Sequence, residues 1–163
     1  MKKFVALFLT AVIAVGVVGC AKKPQKSEND ITQEQVQIPN PIVTYETIDE
    51  AKEALDFEPV IPGKINEEYE TSHICVIDKK LFQVTFKNGT DEILYRMSKG
   101  NEDISGDYNE YEVTRDVDID GIKAVFKGNA DKVYVITWSD DEFSYSMSFT
   151  AGISEETAKE LIK

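Results

Sequence analysis

Histidine and cysteine are scarce in this chain, and the scarcity limits the chemistry that it can perform. The sequence has one histidine, His73, and two cysteines, Cys20 and Cys75. Ser-His-Asp and Cys-His catalysis are excluded unless His73 itself serves. His73 and Cys75 would share one face of a strand, but a zinc site needs three or four ligands. The sequence also lacks G-x-S-x-G, S-x-x-K and glycine-rich phosphate motifs, so a hydrolase is the least favoured class and no cofactor is expected.

Basic residues are also few relative to acidic ones. The chain has 18 basic and 30 acidic residues, which gives a formal net charge of −12. An acidic surface argues against nucleic acid, whose phosphates need lysine and arginine, and against broad contact with anionic lipid headgroups. The expected partners are cations, basic surfaces or neutral molecules. A plainer alternative is that the charge only keeps a surface protein soluble.

Long hydrophobic runs are absent except at the start of the chain. Lys2 and Lys3 form a short basic segment, and residues 4–18 then continue almost without a polar side chain. This run is shorter than the roughly 20 residues that a transmembrane helix needs. A basic start, an apolar stretch and a small-residue cleavage site are typical of a secretory signal peptide, here residues 1–19.

The signal peptide ends on a cysteine. The segment Val17-Val18-Gly19-Cys20 resembles the lipobox of bacterial lipoproteins. The resemblance implies that Cys20 receives a lipid anchor carrying palmitate and becomes the first mature residue. It places the protein on the outer face of the bacterial cytoplasmic membrane, or at the outer membrane in a Gram-negative organism. Cys75 would then be the only thiol left, so no intramolecular disulfide could form.

The rest of the chain divides into a tether and one domain. Residues 20–40 are polar and lack aromatics, which predicts a flexible tether. In residues 41–163, Thr47 and Glu50 form a capping box before a short helix, and Ser154 starts a final helix. Residues 69–150 alternate polar and apolar side chains and contain three hairpin turns. We expect an α+β domain, in which an antiparallel meander of six or seven strands carries both helices on one face.

The loop between residues 99 and 112 is the first candidate contact surface. It is long for a compact domain, and long loops are often functional. Asp103 and Asp107 could hold a cation or a basic partner, while Tyr108 and Tyr111 would supply contact area. The alternative is a solvated acidic loop whose tyrosines pack on the edge of the sheet.

A second motif resembles half of a calcium site. Asp116, Asp118 and Asp120 precede a glycine in the pattern D-x-D-x-D-G. A calcium loop needs a bidentate carboxylate at its twelfth position, and Lys127 stands there instead. The aspartates are therefore weak metal candidates, and a strand that runs into an Asp-Gly turn is the favoured interpretation.

The third candidate is an aromatic strand face. Tyr134, Ile136 and Trp138 alternate along one predicted strand. If this face is uncovered, it offers an apolar surface for a peptide or a lipid chain. If it faces the helices it belongs to the core, which is the more frequent outcome for aromatics at strand spacing.

The domain also resembles a family of unknown function that occurs in lipoproteins of Gram-positive bacteria and in the extracytoplasmic parts of anti-sigma factors. The segments that carry the resemblance are 45–51, the loop at 104–108, Asp120-Gly121, and the Trp138 strand with its serine-rich partner. The family implies an α+β module, brings no catalytic residues, and favours sensing or binding over catalysis.

These observations predict a non-enzymatic, lipid-anchored binding or sensor protein. Its partners would be the membrane, reached through the lipid on Cys20, and an extracytoplasmic protein, peptide or small molecule. The alternative is a calcium-dependent surface module that uses Asp103, Asp107 and the aspartates at 116–120.

Overall fold

A computed structural model describes residues 40–63, 65 and 68–162 of the protein. The predicted signal peptide, Cys20 and all of the predicted tether except Asn40 lie outside these residues. The described elements, in chain order, are β1 (Ile42–Tyr45), α1 (Ile48–Glu53), β2 (Glu70–Ile77), β3 (Leu81–Asn88), β4 (Asp91–Lys99), β5 (Val113–Ile119), β6 (Ile122–Gly128), β7 (Val133–Ser139), β8 (Phe143–Ile153) and α2 (Glu155–Ile162).

The eight strands form one antiparallel sheet in the order β1-β2-β3-β4-β8-β7-β6-β5. An antiparallel sheet with two short helices agrees with the α+β class. The predicted count of six or seven strands is wrong because β1, a four-residue edge strand, was not recognised. The prediction of a single meander is also wrong. Strands β1–β4 and β5–β8 are two separate meanders, and β4 pairs with β8 where they meet.

The helix placement also differs from the prediction. The capping box at the start of α1 is present. Thr47 Oγ1 accepts a hydrogen bond from the Glu50 amide at 3.2 Å, and Glu50 Oε2 accepts one from the Thr47 amide at 3.3 Å. However, α1 follows a strand and lies by β1 and β2, whereas α2 lies by β7. Both helices add residues to the same hydrophobic cluster, among them Ala51 and Ala158. They nevertheless lie over different parts of the sheet.

The two faces of the sheet have different coverings. On the helix face, apolar residues of the central strands form the core, including Phe82, Tyr95 and Met147. On the opposite face, strand β8 presents the serines that alternate with its aromatics. Although these side chains are polar, Ser144 and Ser146 are only 1% exposed. The long connection from β4 to β5, residues 100–112, crosses this face and covers them.

Neither helix is a membrane-spanning candidate. Within the part of the chain that the structure describes, no helix is long and apolar enough to cross a bilayer.

Candidate functional site

Residues 100–112, here called the crossover loop, are held to the sheet by Arg96. Its guanidinium donates from Nη1 to the carbonyls of Ile104 at 3.1 Å and Ser105 at 2.6 Å, and from Nε to Gln83 Oε1 at 2.9 Å. Ser144 adds a hydrogen bond from its hydroxyl to the Gly100 carbonyl at 2.9 Å. Arginine can satisfy several carbonyls at once because its donors form a rigid fork. The predicted contact loop is therefore built into the fold.

The carboxylates of the crossover loop serve its own structure. The Asp103 carboxylate accepts a hydrogen bond from the Ser105 amide at 2.9 Å and forms an ion pair with Lys127 at 3.1 Å. Burial opposes its ionisation, but the hydrogen bonds from Ser105 and the contact with Lys127 lower the pKa of Asp103. Asp107 Oδ1 accepts from the amide of Asn109 at 3.2 Å and from its side chain at 2.6 Å. These contacts stabilise turns of the crossover loop, whereas Asp107 Oδ2 is buried without a hydrogen-bond partner among the described residues.

The two predicted tyrosines of the loop have different surroundings. Tyr108 is 97% exposed at the tip. Tyr111 is half-buried and its ring stacks on Tyr134 with centroids 6.4 Å apart. Both rings of that pair line a pocket of about 480 Å³ between the loop and the sheet, together with Arg96. Of these two tyrosines, only Tyr108 is therefore exposed enough to serve as a surface contact residue.

The prediction that Tyr134 shares a face with Ile136 and Trp138 is wrong. The register of β7 against β8 shifts between Val133 and Val135. An irregularity of this kind breaks the alternation of side chains along a strand. Tyr134 consequently lies beneath the crossover loop, whereas Ile136 is buried in the core on the helix face.

The half calcium motif forms a strand and a turn. Asp116 and Asp118 lie on β5, where they pair in register with Val125 and Lys123 of β6. Asp118 Oδ1 accepts from the Gly121 amide at 2.9 Å, and Asp120 adopts a positive φ of 54° in the turn. Among the described residues no group of three or more histidine, cysteine or acidic side chains could hold a metal ion.

His73 and Cys75 also lie apart from any site. His73 is exposed on β2, while Cys75 is 1% exposed and is a free thiol. Burial raises the pKa of the Cys75 thiol, with the Arg96 charge acting weakly against it. A thiol with a raised pKa is a poor nucleophile and a poor metal ligand at neutral pH.

A large concave surface lies on the helix face, between the α1–β2 connection and α2. This aromatic groove has a volume of about 1120 Å³. Its floor comes from the sheet, one wall from the connection between α1 and β2, and the other from α2 and the β5–β6 turn. The lining residues are Val60–Gly63, Tyr95, Gly121–Lys123, Trp138–Asp141, Tyr145 and Glu160–Ile162.

The centre of the groove is a fixed pair of aromatic rings. Trp138 and Tyr145 stack nearly parallel, with centroids 5.1 Å apart and an interplanar angle of 9°. The Tyr145 hydroxyl donates to Asp140 Oδ2 at 2.8 Å. Burial, together with this hydrogen bond and the charge of Asp140, raises the pKa of Tyr145, which therefore stays protonated as the donor.

Asp140 is itself held as an anion. Its Oδ1 accepts from the backbone amides of Glu142 at 2.8 Å and Phe143 at 2.7 Å. Burial acts against ionisation, but these amides and the Tyr145 hydroxyl lower the pKa of Asp140. The groove thus combines a rigid aromatic platform with a fixed negative charge at its rim.

One wall of the groove presents an apolar side chain on a fixed backbone. The Val60 carbonyl accepts a hydrogen bond from the Tyr95 hydroxyl at 2.5 Å, and the Val60 amide nitrogen lies 3.3 Å from the Met97 sulfur. Val60 is nevertheless 62% exposed. Val60 therefore adds an exposed apolar side chain to the rim of the groove.

The predicted candidates therefore separate onto two faces of the sheet. Asp103, Asp107, Tyr108 and Tyr111 belong to the crossover loop, and Trp138 belongs to the aromatic groove. Sequence analysis missed Val60, Asp140 and Tyr145 as groove residues because they meet only after β7 and β8 pair and the α1–β2 connection packs on them. The Asp140-Asp141 turn next to Trp138 was the one local signal.

Comparison with known protein families gives a match over most of the domain. A family model described as a domain of unknown function, DUF4367, matches residues 59–163. Comparisons with curated proteins and with solved structures found no match. The matched segment covers the aromatic groove, the crossover loop, and every element from β2 to α2. The chain therefore belongs to the DUF4367 family of domains of unknown function.

Proposed function

We propose that this protein is a lipid-anchored extracytoplasmic binding or sensor protein whose ligand occupies the aromatic groove. The groove itself carries the proposal. It is a large concave surface, it is lined by stacked aromatic rings, and it has charged groups in its lining. Ligand sites are usually concave and mostly apolar, with a few placed polar groups.

The proposed anchor depends on the start of the chain. A basic pair, an apolar run and the lipobox-like segment that ends at Cys20 support export and lipidation. A tether of about 20 polar residues would then separate the domain from the bilayer. The acidic chain offers few basic side chains for anionic headgroups, so the lipid would provide the membrane contact.

A binding role is favoured over catalysis by the contents of the groove. Its described lining has carboxylates, a lysine and Ser139, but no histidine or cysteine. The single histidine of the chain, His73, is exposed on β2 and lies outside the groove lining. A serine without a neighbouring base is a weak nucleophile.

Crosslinking on living cells tests the groove. A photoreactive amino acid at position 60 replaces an exposed side chain on the rim and should give a defined mass increase on the peptide that carries it. The matched control is the same amino acid at Thr90, which is exposed in the β3–β4 turn. Adducts at position 60 and none at position 90 support the proposal. No adduct at position 60, or equal adducts at both positions, would refute it.

A further inference from the structure

We propose that the ligand of the aromatic groove is a cationic peptide segment that carries an apolar or aromatic side chain between its positive charges. This inference rests on the proposed function, because it names the class of ligand that the same groove binds.

Charge is the first argument. Asp140 and Asp141 stand at one end of the groove and Glu160 extends the acidic lining from α2, whereas Lys123 is the only basic residue among the described lining. Asp140 is kept ionised by its hydrogen bonds to Glu142, Phe143 and Tyr145. The groove therefore has a surplus of negative charge within a chain of net charge −12. Complementary charge raises the rate of encounter with a cationic ligand and repels an anionic one.

The aromatic floor is the second argument. Trp138 and Tyr145 lie beside the Asp140 carboxylate, so a lysine or arginine can meet a ring and an anion at once. Aromatic faces attract ammonium and guanidinium groups, and the aliphatic stems of these residues pack on apolar surface. The exposed Val60 side chain offers contact for an apolar residue of the same segment.

Size is the third argument. The groove encloses about 1120 Å³, somewhat above the roughly 300–1,000 Å³ typical of pockets for small molecules. It is bounded by separate chain segments and extends from the β7–β8 turn to α2. An extended peptide of a few residues fills such a space, whereas a single metal ion would contact only one end of it.

Fluorescence titration tests the charge preference directly. Trp138 is the only tryptophan in the chain, so intrinsic tryptophan emission reports on the groove. The full chain in non-ionic detergent is titrated with acetyl-Lys-Phe-Lys-Leu-Lys-amide and with matched peptides that carry glutamate or glutamine instead of lysine. The lysine peptide should shift the emission and bind at least about tenfold more tightly than the glutamate peptide, with a difference that shrinks at high salt.

Two variants test whether charge in the groove, rather than the net charge of the chain, attracts the lysine peptide. Asp141→Asn removes an exposed rim charge and should raise the Kd of the lysine peptide about two- to fivefold. Asp131→Asn removes one charge from the turn at the other end of β7, outside the groove, and should leave the Kd unchanged. A change of equal size in both variants would mean that net charge alone attracts the peptide, which overturns the inference.

The remaining outcomes distinguish failure of the proposed ligand class from failure of the proposed function. Equal binding of the lysine, glutamine and glutamate peptides would overturn the charge preference and leave the groove as a binding site. No change in Trp138 emission with the lysine peptide would overturn the proposed ligand class. The proposed function is tested separately: it falls if crosslinking at position 60 fails, whatever the peptide titration shows.

Discussion

At the residue scale, Arg96 joins the two meanders to the segment that connects them. It lies on β4, which pairs with β8, and its guanidinium reaches two carbonyls of the crossover loop and the side chain of Gln83. Burial lowers its pKa, although a guanidinium remains charged at physiological pH. Hydrogen bonds from a charged, half-buried donor contribute more to stability than those at the surface.

Replacement of Arg96 should therefore destabilise the fold. We expect Arg96→Met to lower the free energy of unfolding by about 2–3 kcal/mol, because two loop carbonyls lose a charged donor. Urea unfolding followed by circular dichroism measures the change. The control is Arg115→Met, which removes a surface ion pair with Glu155 at 2.8 Å and should cost less than about 1 kcal/mol. Equal losses in the two variants would show that Arg96 does not anchor the loop.

Sequence patterns predicted local features of single residues well. The capping box of Thr47 and Glu50 depends on neighbours within a few positions. Tyr134 was assigned to the wrong face because the register shift in β7 depends on how β8 pairs with it. Ser144 and Ser146 look solvent-facing in sequence, and only the crossover loop buries them.

At the element scale, the crossover loop replaces a hairpin. A direct turn from β4 to β5 would give one continuous meander, as the sequence suggested. Instead the chain crosses the serine face to the far edge of the sheet, and small side chains below it allow close approach of its backbone. Gly106 is part of this fit, with a φ of 62° and a position directly against the Arg96 guanidinium.

A pair of glycine variants tests that contact. Gly106 and Gly89 have nearly the same φ, 62° and 61°, but an added Cβ at position 89 meets nothing within 4 Å. Each change to alanine should cost about 1–2 kcal/mol from the left-handed backbone. Gly106→Ala should cost more than Gly89→Ala, because the new methyl displaces Arg96. Thermal unfolding compares the two, and a Gly106→Ala variant as stable as Gly89→Ala would contradict the described packing.

The turns between strands were easier to predict than the strand order. Asn88-Gly89 starts on the last residue of β3, and Asp120-Gly121 and Asp140-Asp141 lie between the two strands of their hairpins. The strand β1 escaped notice because it has only four residues at the edge of the sheet, and strands this short carry too little periodicity to detect.

At the scale of the whole molecule, the sheet separates two surfaces with different structures. The serine face is closed by the crossover loop, which leaves Tyr108 as its exposed aromatic. The helix face carries the aromatic groove, which forms from segments that are distant in sequence. The pairing of β4 with β8 brings Tyr95 and Tyr145 into one floor. No local pattern predicts such a pairing, so the groove could not be derived from the sequence.

The central claim is that this domain stands outside the membrane with a ligand in the aromatic groove. A membrane-impermeant radical reagent that modifies exposed tryptophan and tyrosine rings tests both parts in one mass-spectrometric measurement, made on intact cells and on the purified chain. Tyr108, at the loop tip on the other face, is the internal control. We predict that Tyr108 reacts equally in both samples while Trp138 reacts more slowly on cells. Equal reaction of Trp138 in both samples, or no reaction of Tyr108 on intact cells, would contradict the account.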